Sequence, residues 1–158
     1  MLIDGRSGAG KSTLARLVAQ RWPGEVQTLA LDRVYPGWDG MDAGVELVRA
    51  QVLVPYARGR GGRWQRWDWD AQRAAETHEV SPTGALIVEG AGLLTPATAQ
   101  YADLTVWVGS PEPSRRRRAL DRDGDAYRPH WERWARQEEH HLVRDAPDRL
   151  AQIVVTVP

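Results

Sequence analysis

Residues Gly5 to Thr13 read GRSGAGKST, in which Gly5, Gly10, Lys11 and Ser12 satisfy G-x-x-x-x-G-K-[ST]. That spacing suits a phosphate chain. Glycines let successive backbone N–H groups turn inward around an anion where a Cβ would obstruct, so Ser7, Gly8, Ala9 and Gly10 can form a cradle. Lys11 would then reach the β- and γ-phosphates of a nucleotide such as ATP, Ser12 would offer a hydroxyl to Mg²⁺, and Thr13 completes the set. Lys11 is the only lysine among 21 basic residues. Arginine-favouring codon usage accounts for the excess of arginine, but not for one lysine at this position.

Two acids could share in that chemistry. Asp32 closes the apolar run VQTLALD (Val26 to Asp32), and Glu89 closes ALIVEG (Ala85 to Gly90). One carboxylate could help hold Mg²⁺ while the other accepts the proton of an attacking hydroxyl. The plainer alternative is a helix cap or a solvated loop acid.

The elements that must position these groups alternate along the chain. A short apolar strand precedes the loop, and Leu14, Leu17, Val18 and Trp22 recur behind it at helical spacing until Pro23-Gly24. Further strands are expected at Val26 to Asp32, Ala85 to Gly90, Ala102 to Gly109 and Ala151 to Val157. Helices are expected from Met41 to Ala57, disturbed by Pro55, at Pro113 to Arg122 and at Pro129 to Val143. Short apolar strands separated by helices predict a parallel five-stranded sheet with helices on both faces, the three-layer α/β P-loop NTPase fold, as one domain over residues 1–158. Ligands in such sheets gather at the carboxyl ends of the strands, where Asp32 and Glu89 fall.

Composition narrows the function classes. The net charge is zero and there are no cysteines, which removes thiolate metal sites and thiol catalysis and gives no global field for nucleic acid or an anionic membrane. No leader core or membrane-length apolar run is seen, so a cytoplasmic location is expected. The start at Met1 leaves the first strand short, as a trimmed or mis-assigned N-terminus would.

GRSGAGKST, LDRVY, WDW, IVEG and RRRRALDRDG occur in an order and spacing that resembles the uridine kinase-like group of P-loop kinases, across about residues 1 to 157. The resemblance implies Asp32 as the base, Tyr35 beside the acceptor, Glu89 near the metal, and Trp67, Asp68 and Trp69 lining the acceptor pocket. It also implies a lid over about residues 112–128, with Arg118 and Arg122 best placed in it. Tryptophan stands where the group carries other aromatics in its Y-D-F segment, and PGWDG after Tyr35 departs from the nucleoside-kinase continuation. Trp38 and Asp39 therefore mark where the acceptor would be read.

Two segments can be read without that resemblance. Arg115, Arg118 and Arg122 lie at helical spacing and form one cationic face, able to neutralise a phosphoryl group in transit or simply to face solvent. In RWQRWDWD, alternation would put Trp64, Trp67 and Trp69 near one face of a strand or hairpin. That face is either an aromatic wall with Arg66 or Asp68 on the acceptor's polar edge, or packing in a chain with eight tryptophans and no phenylalanine. Trp131 and Trp134 read as core, and the adjacent His140 and His141 diverge on a helix, against joint metal binding.

A guanine-reading N-K-x-D motif is impossible with Lys11 as the sole lysine. The expected activity is ATP- and Mg²⁺-dependent transfer of a phosphoryl group to a hydroxyl of a small molecule, a nucleoside or another metabolite, with no nucleic-acid or membrane partner. The alternative is a non-catalytic nucleotide-binding or regulatory protein of the same fold.

Overall fold

The computed structural model describes residues 1–158. Its strands are β1 (Leu2–Asp4), β2 (Val26–Ala30), β3 (Gly62–Asp68), β4 (Arg73–Val80), β5 (Ala85–Glu89), β6 (Thr105–Gly109) and β7 (Ile153–Thr156). Five form a parallel sheet in the order β2-β5-β1-β6-β7, and β3 and β4 make a separate antiparallel hairpin. Side chains on a strand alternate between faces, and the central strands are apolar on both. Leu2 and Val88 therefore join one core with Leu29, Leu31 and Val48, while Ile3 and Ile87 join a second with Ala15, Val106 and Val108. Each face needs a helical cover.

The helices are α1 (Lys11–Gln20), α2 (Met41–Val48), α3 (Val54–Ala57), α4 (Pro96–Ala99), α5 (Glu112–Tyr127), α6 (Trp131–Asp145) and α7 (Pro147–Leu150). Leu14, Val18 and Ala19 of α1 pack on the second core, whereas α2 and the start of α6 pack on the first. A π-turn over Arg49–Leu53 joins α2 to α3. Pro55 has no N–H for the helical ladder, and the wider turn just before it takes up the disturbance.

The sheet matches the expected architecture, with differences at the ends of elements. β2 stops at Ala30, and Leu31–Arg33 turn in a 3₁₀ helix whose Leu31 is fully buried. Asp32 thus stands just beyond the strand. The arginine-rich helix α5 runs past Arg122 to Tyr127 but breaks at Gly124 (φ 55°, ψ −134°). The tryptophan segment slips register between Gln65 and Trp67, so its strand does not alternate evenly. No helix is long and apolar enough to cross a membrane.

Candidate active site

Because β2, β5 and β1 are parallel neighbours, the loops after β1, β2 and β5 open at the same edge of the sheet. They meet around a cavity of about 370 Å³ lined by Ser7, Gly8, Lys11, Ser12, Asp32 and Glu89 at one end and by aromatic rings at the other.

The phosphate loop is held in shape by buried acids. Asp4, fully buried at the end of β1, accepts the N–H of Gly5 (2.6 Å), Gly92 (3.1 Å) and Leu94 (2.7 Å). His141 reaches the same carboxylate through Nε2 (2.9 Å) and Asp145 through Nδ1 (2.8 Å). Burial alone would lower the pKa of His141, but hydrogen bonds and charge from Asp4 and Asp145 outweigh it and hold the pKa above its ordinary value. Glu138, on the same face of α6, accepts the Ser7 N–H (2.6 Å) and the Arg6 Nε–H (2.9 Å). Buried carboxylates need such donors.

Gly8 and Gly5 have positive φ, and a Cβ on either would overlap a backbone carbonyl, of Arg115 and Val108 respectively. Of the expected phosphate contacts, Ser7, Gly8, Lys11 and Ser12 line the cavity. Gly5 lies beneath it. The Ala9 N–H closes the turn on the Arg6 carbonyl (3.0 Å), Gly10 caps α1 with a left-handed backbone, and Thr13 is exposed on the first turn. Lys11 Nζ donates to the Arg6 carbonyl (3.2 Å), a partner that a phosphate could replace.

Beside the loop, Ser12 Oγ donates to Glu89 Oε1 (2.7 Å). Burial raises the Glu89 pKa, against Lys11 and the Ser12 bond, which lower it. Asp32 is exposed to the cavity from its 3₁₀ turn, and its carbonyl takes the Trp69 indole N–H (2.8 Å). The chain contains no cluster of three or more His, Asp or Glu side chains able to hold a metal ion unaided. The Ser12–Glu89 pair does suit a hard cation whose remaining ligands are phosphate oxygens and water.

The aromatic end gathers residues from distant segments: Tyr35 and Trp38 after β2, Trp69 at the hairpin tip, Tyr127 at the end of α5 and Trp134 in α6. Trp38 stacks on His130 (4.3 Å between centroids) and Tyr127 (5.3 Å) and meets Trp69 at 4.7 Å. Tyr35, almost fully buried, donates its hydroxyl proton to the Ala91 carbonyl (2.7 Å), and burial raises its pKa well above the ordinary value.

Several expected site residues stand elsewhere. Arg66 pairs with Glu76 (2.6 Å) across the hairpin, and Asp68 accepts the N–H groups of Asp70 and Ala71 in its turn, so neither lines the cavity. Trp67 is also outside it, with a buried indole N–H that has no partner, and Trp64 packs in the core. The register slip separates them from Trp69. Arg118 donates to the carbonyls of Gly8 and Pro158 (both 2.8 Å), and Arg115 to those of Ser7 (3.2 Å) and Ser110 (3.1 Å). Both arginines brace the loop from behind. Arg122 alone of the three lines the cavity, paired with Asp123 (2.6 Å), whose hydrogen bond raises its pKa.

Sequence reading missed Asp4, Glu138 and His141 as loop supports and Tyr127 and Trp134 as cavity wall. The helical spacing of Trp134, Glu138 and His141 placed them on one face of α6, but nothing local showed which strand or loop that face meets.

No protein-family model matches the chain, and no curated protein matches it in sequence. Its fold does match solved structures. A possible uridine kinase from Bacillus stearothermophilus superposes with a TM-score of 0.70 at 19% identity, covering 98% of this chain and 86% of that one. A candidate fructose transport system kinase from Silicibacter sp. TM1040 gives 0.52 at 20% identity over 100% and 89% of the two chains. TT1252 from Thermus thermophilus gives 0.50 at 22% identity over 99% and 87%. The chain therefore has the three-layer α/β fold of P-loop kinases.

Proposed function

We propose that the protein is a phosphotransferase that moves the γ-phosphoryl group of ATP to a hydroxyl of a small molecule. The observation that carries this reading is the convergence of Lys11, the Ser12–Glu89 pair and the exposed Asp32 on one cavity. The loop amides and Lys11 would bind the β- and γ-phosphates. Ser12 and Glu89 would hold Mg²⁺, which when bound neutralises charge on the phosphates. The acceptor oxygen forms its bond to the γ-phosphorus as the bond to the β–γ bridging oxygen breaks, ADP leaves with that electron pair, and Asp32 takes the hydroxyl proton. Arg122 meets the charge in transit from the rim of the cavity. Likeness to kinases of the same fold supports the reading, as does the resemblance carried by LDRVY and IVEG.

A non-catalytic nucleotide binder would use Lys11 and the loop but has no need of Asp32. Asp32→Asn separates the two. A phosphotransferase keeps its nucleotide affinity in this variant and loses transfer by about 10²-fold or more, the usual scale for a positioned base. Unchanged transfer to an acceptor would remove Asp32 from the role.

A further inference from the structure

The acids behind the phosphate loop are balanced by arginine, with one exception. Glu138 pairs with Arg6 (2.9 Å) and lies near Arg115 (3.9 Å), while Arg144 serves Asp42 and Asp145 (both 2.7 Å). Asp4 has no arginine or lysine partner, and its counter-charge is His141. A guanidinium keeps its proton at any physiological pH, whereas an imidazole gives it up close to neutrality.

The contacts of His141 call for a protonated ring. Asp4 Oδ1 takes the N–H groups of Gly5 and Gly92, and Oδ2 takes that of Leu94, so the remaining acceptor position faces Nε2 (2.9 Å). On the far side of the ring, Nδ1 faces Asp145 Oδ2 (2.8 Å), which Arg144 also holds. Burial alone would raise the Asp145 pKa, but the bonds from Arg144 and His141 outweigh it and keep it below its ordinary value. Two contacts with carboxylates need two protons, and a neutral imidazole brings one. The second belongs to the Asp4–His141 pair, whichever of the two atoms carries it. The charged groups around the ring are Asp4 from β1, Asp42 from α2, and Glu138, Arg144 and Asp145 on its own helix. The loop after β5 brings only the Gly92 and Leu94 amides.

Asp4 connects that proton to the ligand site. It ties Gly5, where the phosphate loop begins, to Gly92, beside Gly90 and Ala91 in the cavity wall. With the proton in place the Asp4–His141 pair is neutral. Without it a negative charge is left under the loop, where burial screens it poorly and it opposes the charge of a phosphate chain above.

We propose that His141 is a positioning residue for the nucleotide, acting through Asp4, and that protonation of this pair and binding of a phosphate chain strengthen each other. The coupling requires a loop that binds nucleotide, as in the proposed function, and is independent of transfer to an acceptor. By linkage, a bound nucleotide tightens the hold of the pair on its proton. Binding therefore takes up protons, and affinity declines as pH rises through the midpoint of the free protein.

The probe is ADP with Mg²⁺, titrated into the intact protein by calorimetry from about pH 6 to pH 9, a range that brackets the ordinary histidine pKa. Buffers of different ionisation enthalpy give the number of protons taken up. The affinity of the wild type should fall by at least about fivefold across the range, with a peak uptake of about 0.4 proton per site for a fivefold coupling. His141→Gln, whose amide still donates to Asp4 but does not titrate, should lose both effects and leave only the titration of ADP itself. Asp145→Asn, which still accepts the Nδ1 proton, should keep the affinity at low pH and move the midpoint to lower pH. Thermal melts verify that both variants fold, and if His141→Gln does not, the proton count of the wild type and the midpoint of Asp145→Asn decide. Proton uptake in the wild type equal to that in His141→Gln, or a midpoint unmoved in Asp145→Asn, overturns the coupling and leaves nucleotide binding standing. No ADP binding at any pH overturns both. Coupled uptake without transfer to any acceptor supports the coupling and removes the phosphotransferase.

Discussion

At the phosphate end of the cavity, buried carboxylates stand behind the chain: Asp4 under Gly5 and Glu138 under Ser7. At the aromatic end, Trp38, Trp69, Tyr127 and Trp134 come from four separate segments and meet mainly ring to ring. Hydrogen bonds between ionised and backbone groups are short and directional, whereas apolar ring contacts tolerate sliding and substitution. The first end is therefore built to hold one shape for a ligand of constant geometry. The second can change its occupant without disturbing the first.

Variants at the two ends should separate accordingly. Lys11→Ala should have the largest effect, abolishing nucleotide turnover; wild-type ATP consumption in a coupled assay would remove the phosphate end from the chemistry. Glu138→Ala should follow, because it strands the buried Arg115 and the Ser7 amide. A loss of about 3 kcal/mol in denaturant unfolding, the scale for breaking a buried charge pair, together with weaker nucleotide binding, would show that the loop depends on this support. Glu138→Gln, which still accepts the Ser7 N–H, should recover part of both.

Arg122→Ala should lower kcat by at least about tenfold with little change in thermal stability, as expected for a group that stabilises charge in transit. Arg118→Ala should do the reverse, lowering the melting temperature more than kcat, because its partners are the Gly8 and Pro158 carbonyls. Equal behaviour of the two variants would erase the distinction between brace and rim.

The smallest effect concerns His141. Its folded-state pKa lies above the unfolded value, so its contribution to stability is complete below about pH 6.5 and is lost as pH rises through the folded pKa. Melting temperature should fall across that window in the wild type and lose this component in His141→Gln.

Much of the phosphate end was legible in the sequence because the loop is contiguous and its spacing carries its own mechanism. Asp32 and Glu89 were legible for a different reason: in a parallel sheet the carboxyl ends of strands share an edge, and finding the strands is enough. Asp4 and His141 act across 137 positions and Glu138 and Ser7 across 131, a pairing that no local pattern announces. Arginine spacing identified a helical face, but charge alone could not tell a carbonyl partner from a phosphate. The tryptophan segment misled because even alternation fails at a register slip, which left Trp69 at the cavity and Trp67 away from it.

Gly5 and Gly8 face their closest neighbours on the side away from the cavity, the carbonyls of Val108 and Arg115. Any larger residue there would push β6 or α5 aside whether or not a nucleotide ever bound. A copy of this chain without any phosphoryl transfer would therefore keep both glycines for folding alone, and its sequence would still carry the outline of the phosphate loop. Asp32, exposed and braced only through its own backbone carbonyl, has no such structural duty. Across a set of diverging copies, drift at Asp32 beside an intact glycine loop would be the mark of lost catalysis.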